Sequence, residues 1–331
     1  MKYRAIQLQG KGGLDQLRTI ELPLDDPKPG ELRIRVRAAG AGFTDITMRR
    51  SYYPYRPPFP FVQGYEVLGE VDTLGAGVIG FRKGQRVCAL TVHDAWAEYF
   101  TREADHFVPV PDGVDDGEAV ALILNYVTAY QMIYRYGKMQ SGELALVSGA
   151  NGGVGTALLE LLKLHGVRAI GAASKKHFDY VRQLGGHPIE SRSRPLDVLV
   201  HDEFPQGVDV AFDGLGGKAT REHIGATKKG GLVVGYGFME ARATPLGALR
   251  GFAALYLGAR LAGKRAVFYG ITRDYRKDKR PFKEDLSKLL ELLRQQRLQP
   301  RIAARLPLLD GKRAEEMLEA GGVAGKIVLV A

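Results

Sequence analysis

The stretch Ser148-Gly149-Ala150-Asn151-Gly152-Gly153-Val154-Gly155 holds the residue types and spacing with the clearest chemical consequence in this chain. Gly149, Gly152 and Gly155 recur at every third position. Glycines so placed let the backbone turn tightly, approach a diphosphate closely, and set a helix close against a strand. The run Leu144-Ala145-Leu146-Val147 before them reads as a strand buried on both faces. After them, Val154, Ala157, Leu158, Leu161 and Leu162 form an apolar stripe at helical spacing. Strand, turn and helix in that order aim free backbone N–H groups and the positive end of a helix at phosphate oxygens. Gly149, Asn151, Gly152, Gly153, Val154 and Gly155 are therefore candidate contacts to a dinucleotide. The alternative is a tight turn without a ligand.

The next strand, residues 167–173, ends where dinucleotide sites choose their ribose. An NAD site places a carboxylate there. This chain has Ala172-Ala173-Ser174-Lys175-Lys176 instead. A carboxylate repels a 2′-phosphate, whereas a hydroxyl and an ammonium attract it. The expected cofactor is NADPH, with Ser174 and either Lys175 or Lys176 on the extra phosphate. The same residues also read as a helix N-cap followed by two solvated lysines, a role compatible with phosphate binding.

The elements that must hold this turn suggest an α/β fold of two parts. Up to about residue 110, short β segments alternate with glycine and proline: residues 32–38, 65–71, 86–90 and 97–101. That texture fits a compact, mostly β domain with barrel-like closure. From about residue 118, strands alternate with helices, and residues 208–212 and 232–234 supply further buried strands. This is the pattern of a doubly wound parallel sheet. Beyond about residue 268 the chain reads as basic and loop-like. A helix over about residues 282–296, another from about residue 310 to Gly321, and a strand at residues 327–330 follow.

Composition narrows the function classes. At 331 residues, with 45% apolar and 25% charged side chains, the chain reads as an ordinary globular protein of two domains. Arg250, Arg260, Lys264 and Arg265 interrupt the most apolar stretch, so no membrane span is expected. The first residues read as a strand start without an apolar signal region, and a cytoplasmic location is the default expectation. Cys88 is the single cysteine, which leaves no intrachain disulfide or thiolate zinc cluster; it reads as a small buried apolar residue. The net charge of +10 is dispersed apart from Arg273, Arg276, Lys277, Lys279 and Arg280. A solvated basic loop is favoured over a nucleic-acid surface.

Several segments together bring a family into view: residues 38–54, 60–71, 80–87, 124–131, 207–217, 230–238 and 321–330. Over essentially its full length the chain resembles the zinc-independent quinone-oxidoreductase branch of the medium-chain dehydrogenase/reductases. The resemblance implies a GroES-like, mostly β domain at residues 1–118 and 269–331, with a Rossmann domain at 119–268 inserted between. Zinc-dependent relatives carry a cysteine where this chain has Gly42, a histidine where it has Tyr65, and a further ligand near Leu124. No metal is therefore expected. His93, His106 and Glu66 show no ligand spacing that would improvise a site.

The resemblance also implies roles. Hydride from NADPH would pass to an electron-poor carbon of a quinone or an α,β-unsaturated carbonyl, a small-molecule acceptor. Asn125 and Thr128 fall in a matching segment, with Thr128 placed for the nicotinamide carboxamide. Gly235, Tyr236 and Phe238 would border the cofactor, and Phe268 and Tyr269 the nicotinamide side. Lys326 matches a position near the cofactor phosphates, or is a solvated strand-edge lysine. Tyr53 corresponds to the family tyrosine that orients a carbonyl oxygen; packing on Pro54 or Pro57 is the alternative. Phe43, Tyr52 and Tyr65 are expected beside the acceptor. Asp45 matches a frequent family residue and reads as structural. Family members often carry asparagine at Gly42 and a polar aromatic near Thr47, and this chain has neither. An enoyl-thioester reductase, or a cofactor-bound protein whose basic face contacts RNA or an acidic partner, stands as the alternative. A homodimer through residues 248–261 is implied.

Overall fold

The computed structural model describes residues 1–190, 193–237 and 245–331, apart from the side chains of Pro245, Leu246 and Ala248. Two units divide the chain, Met1–Val127 with Thr272–Ala331, and Thr128–Ile271.

In the second unit the continuous apolar runs pair as a six-stranded sheet. The order is Gly186–Glu190, Arg168–Ala173, Leu144–Ser148, Val208–Asp213, Thr227–Gly235 and Arg265–Phe268, and every pair is parallel. Leu146 stands in register with Ile170 on one side and Ala211 on the other, all three buried. The sheet grows outward in both directions from Leu144–Ser148 and Val208–Asp213. The connection after Leu144–Ser148 therefore emerges at a point of reversed strand order, where open parallel sheets leave a crevice for ligands. Helix Gly153–Leu164 covers the sheet with Ala157, Leu158, Leu161 and Leu162 of the predicted stripe buried, joined by Leu159, while Val154 is half-buried.

In the first unit, antiparallel pairing dominates. A seven-stranded sheet runs Ile302–Pro307, Lys326–Val330, Glu31–Ala41, Glu66–Leu74, Arg86–Leu90 and Val108–Pro109, with Tyr99–Glu103 added to Glu31–Ala41. A three-stranded sheet joins Leu17–Pro23, Lys2–Leu8 and Phe61–Val62. Strand Lys326–Val330 pairs antiparallel with Glu31–Ala41, so the end of the chain completes the sheet begun near its start. Trp96 is fully buried here, and its indole N–H donates to the Gly40 carbonyl at 3.0 Å. Cys88 is likewise fully buried in strand Arg86–Leu90. These sheets make the GroES-like part, and the parallel sheet the Rossmann part, of an α/β fold.

One expectation fails. The basic stretch just beyond residue 268 is helical rather than loop-like, since Ile271–Lys277 is a helix; the helix expected over about residues 282–296 runs Arg280–Arg294. Ile271, Thr272 and Tyr275 fall on one face of the first helix and are buried, while Arg273, Arg276 and Lys277 are exposed. Helical spacing turns the basic residues outward without requiring a loop. Among the described residues no helix is long and apolar enough to cross a membrane.

Candidate functional site

The turn after Leu144–Ser148 is held from both sides. Ser148 Oγ donates to the Phe212 carbonyl at 3.0 Å, and the Ala150 N–H donates to the Ala172 carbonyl at 3.1 Å. Both strands flanking the switch point thereby fix where the turn begins. Gly149 adopts φ +60°, the left-handed region that favours glycine. A Cβ on Gly155 would lie 2.2 Å from the Gly149 carbonyl oxygen, so a side chain there would collide with the turn. Gly152 is the N-cap of helix Gly153–Leu164, and its carbonyl accepts the Thr156 N–H at 2.9 Å. The N–H groups of Gly153, Val154 and Gly155 precede the first helical acceptor and point outward from the helix end. This cradle fits a diphosphate, with Asn151 at its rim.

At the end of strand Arg168–Ala173, Ser174 is the N-cap of a short 3₁₀ turn, and its hydroxyl makes no capping bond. Lys175 and Lys176 are exposed, and among the described residues neither has an ion-pair partner. No carboxylate follows the strand until Asp179. A hydroxyl and two available ammonium groups fit a dianionic phosphate.

Asp213 ends the neighbouring strand, where the sequence reading assigned nothing. Its Oδ1 accepts the N–H groups of Leu215 and Gly216, both at 2.9 Å, and its Oδ2 accepts the Thr220 hydroxyl at 2.6 Å. Those bonds occupy the carboxylate in shaping the loop. The Tyr236 N–H donates to the Asp213 carbonyl, and the Tyr236 ring closes on Gly214, where a Cβ would meet Oη at 2.7 Å. Gly235 stands in register with Asp213 and Phe268. Tyr269 is buried, with its hydroxyl on Gln131 Oε1 at 2.9 Å. Thr128 is buried, and its hydroxyl has no partner among the described residues of its unit. Phe238 lies outside the described residues.

The first unit gathers two clusters. In one, Tyr53 Oη meets Tyr65 Oη at 2.6 Å and Thr272 Oγ1 at 2.7 Å, and Tyr65 Oη also contacts Thr272 Oγ1. The rings of Tyr55 and Tyr65 stand edge-on to Tyr53, so its packing is aromatic. Tyr65 and Thr272 are each 1% exposed, whereas Tyr53 is half-buried. Tyr65 thus stands behind Tyr53 rather than at the surface. Burial raises the Tyr53 phenol above its ordinary value, against the opposing bonds to Thr272 and Tyr65, so it keeps its proton at neutral pH. Phe43 and Tyr52 are exposed, with Lys11 over the Tyr52 ring.

In the other cluster, Lys326 is 4% exposed and its Nζ donates to Glu66 Oε1. It is therefore no solvated edge lysine, since its strand runs inside the sheet. Glu66 Oε2 accepts the Leu124 N–H at 2.7 Å. A Cβ on Gly42 would lie 3.7 Å from Lys326 Nζ. An ammonium thus stands near Gly42 and on the carboxylate next to Tyr65. Among the described residues no group of three or more His, Cys, Asp or Glu is placed to hold a metal. Asn125 is buried in the π-helical turn Leu122–Tyr126.

Thr272 and Asp213, and the pairing of Glu66 with Lys326, are what sequence reasoning missed. Thr272 lay hidden in the stretch read as a basic loop. The Glu66–Lys326 pairing spans 260 positions, whereas Asp213 shapes its own loop through Leu215, Gly216 and Thr220.

This is the architecture of a two-domain dehydrogenase. Residues 28–112 match the alcohol dehydrogenase GroES-like domain, and residues 184–329 match the zinc-binding dehydrogenase family. The human synaptic vesicle membrane protein VAT-1 homolog is 33% identical over 246 residues, covering 73% of this chain and 63% of that protein. The match thus spans less than two thirds of that relative. Rat quinone oxidoreductase is 29% identical over 236 residues, covering 70% of this chain and 72% of that protein. The crystal structure of the human VAT-1 homolog-like protein superposes with TM-score 0.85 at 27% identity, covering 100% of this chain and 99% of that one. A mycobacterial protein solved in complex with NADPH superposes with TM-score 0.89 at 25% identity, covering 99% of this chain and 100% of that one. The chain belongs to the medium-chain dehydrogenase/reductase superfamily, in its quinone-oxidoreductase branch, a family of oxidoreductases.

Proposed function

We propose that the chain is an NADPH-dependent reductase that acts on a quinone or an α,β-unsaturated carbonyl without a metal. The observation that carries the reading is the glycine cradle at the switch point, followed by Ser174, Lys175 and Lys176 with no ribose-binding carboxylate. When bound, the reduced nicotinamide supplies a hydride, and the acceptor takes its remaining proton from water.

The chain's own residues do the rest. Backbone N–H groups at Gly153–Leu164 hold the diphosphate, and Ser174 with a lysine selects the 2′-phosphate. Gly235, Tyr236 and the Phe268–Tyr269 backbone border the nicotinamide, and the Thr128 hydroxyl orients its carboxamide. Asn125 supports that end of the site. Tyr53, protonated at neutral pH, donates to the acceptor oxygen as negative charge develops there. Phe43 and Tyr52 supply apolar surface for a flat acceptor. Positioning and exclusion of water do most of what such a reaction needs. The metal-free reading rests on Gly42 and Tyr65, neither of which offers the cysteine or histidine donor of zinc-dependent relatives.

The unit is proposed to work as a homodimer. Helix Pro245–Leu261 exposes Leu249, Tyr256, Leu257 and Leu261, beside the edge strand Arg265–Phe268. An apolar face next to an edge strand suits a second copy.

Calorimetry with NADPH and NADH, followed by NADPH oxidation with quinones, enones and enoyl thioesters, tests the reading. Tighter binding of NADPH and turnover of quinones or enones are expected. Binding of neither coenzyme, or turnover of none of these acceptors, overturns it.

A further inference from the structure

We infer that Tyr65 and Thr272 are positioning residues that turn the Tyr53 hydroxyl into an outward-facing donor for an oxyanion. The three hydroxyl oxygens lie within hydrogen-bond reach of one another. Two belong to residues that are 1% exposed, and the third to a half-buried one. A buried hydroxyl proton left without an acceptor carries a large desolvation cost, so the buried pair keep their protons on inside partners. Tyr53, the one residue of the three with partial exposure, is the member whose proton can be turned toward a ligand, while its oxygen accepts from within.

Hydrogen bonds received at the phenol oxygen have two consequences. They fix the rotation of the O–H, which a lone tyrosine leaves loose. They also let the oxygen carry more negative charge as its proton is drawn toward an anion, since linked hydrogen bonds polarise one another. Arg276, exposed and stacked on Tyr55 at 5.0 Å, adds positive charge on the same side. Its field opposes the burial that raises the phenol. The ligand this suits is a planar molecule whose oxygen is anionic, as the enolate or hydroquinone anion of a reduced acceptor would be. Tyr65 occupies the place of a metal-ligating histidine in zinc-dependent relatives. There the chain puts a hydroxyl that supports another hydroxyl.

The identity of the reacting ligand rests on the reductase reading, so the test separates the two. The first measurement omits coenzyme: 4-nitrophenol is titrated with the intact protein, and the fraction bound as phenolate is read from its absorbance across pH. The intact chain is expected to bind the phenolate in preference to the phenol. Tyr53→Phe should abolish that preference. Tyr65→Phe and Thr272→Val should each weaken phenolate binding by about tenfold, the scale of one net hydrogen bond. Thr272→Ser, which keeps the hydroxyl, should restore it. Equal phenolate binding by the intact chain, Tyr65→Phe and Thr272→Val overturns the proposal. So does equal loss in Thr272→Ser and Thr272→Val, which marks a packing role. So does failure of the intact chain to favour phenolate. The second measurement is turnover with NADPH and the best acceptor. Tyr65→Phe and Thr272→Val should lower kcat about tenfold with KM little changed. Phenolate binding that follows the expected order without any coenzyme binding would sink the reductase reading and leave the donor assignment standing.

Discussion

Replacing Asp45 by asparagine should make the first unit more stable, by an amount that grows with pH. Asp45 is 1% exposed at the third position of helix Phe43–Arg49, where Oδ2 accepts the Gly42 N–H at 2.9 Å. Around it stand Glu315, Glu66 and Lys326, and Gln63 Nε2 donates to its backbone carbonyl at 3.2 Å. Arg49 Nε binds Glu315 Oε2 at 2.5 Å, and Lys326 binds Glu66, so both buried cations are already paired. Asp45 is the carboxyl left over. Burial chiefly, and Glu315 next, push it from 3.8 up to about 8. Among the described residues, its Oδ1 and the Gln63 Oε1 are both buried without a hydrogen-bond partner, and a proton on Oδ1 gives that side chain a donor to offer.

A raised carboxyl binds its proton more tightly in the folded state. Its contribution is complete below about pH 4, falls through the window between, and is gone above about pH 8. At about 1.4 kcal/mol per pH unit, keeping this proton while the unfolded chain loses its own costs on the order of 4 kcal/mol of stability by pH 7. Asparagine is neutral throughout, keeps an acceptor for Gly42, and brings its own N–H donor. Urea unfolding can be followed by fluorescence of Trp96, the single tryptophan, which is buried in this unit. Near pH 4 the variant should match the parent to within about 1 kcal/mol, the scale of one altered hydrogen bond. By pH 8 it should be the more stable by about 3 to 5 kcal/mol. The groups that both proteins share largely cancel in the difference. A difference that stays flat across pH, or a parent that gains on the variant as pH rises, refutes the reasoning.

Gly155→Ala should abolish NADPH binding in calorimetry, because the new methyl group collides with the Gly149 carbonyl. Lys175→Glu together with Lys176→Glu should weaken NADPH binding at least tenfold while leaving NADH within about threefold, the charge-assisted bond being worth about 1.5 to 3 kcal/mol. Lys326→Met should destabilise the first unit by about 3 to 5 kcal/mol by stranding the Glu66 carboxylate, and adding Glu66→Gln should recover much of that loss in the same tryptophan assay. Leu257→Glu should convert a dimer to monomer in sedimentation, since it puts a charge on the exposed apolar face of its helix.

The phosphate cradle was legible in the sequence because everything it needs is local. Strand, turn and helix follow one another from Leu144 to Leu164, and glycine spacing encodes the backbone directly. The Ser174-Lys175-Lys176 segment was legible for the same reason, since a missing carboxylate is visible without a fold. Period also located most strands, such as Arg86–Leu90, but it misread Ile271–Lys277. There, charge density masked an apolar face made by only three residues.

Tertiary structure alone decided the rest. Tyr53 meets Thr272 across 219 positions, and Lys326 meets Glu66 across 260. A hydroxyl or an ammonium has no fixed role until the chain closes and its partner and its burial are set. Solvated, Lys326 would be a surface charge and Asp45 an ordinary carboxylate. Enclosed, the first neutralises Glu66 and the second holds a proton, because removing water is what makes a missing partner costly.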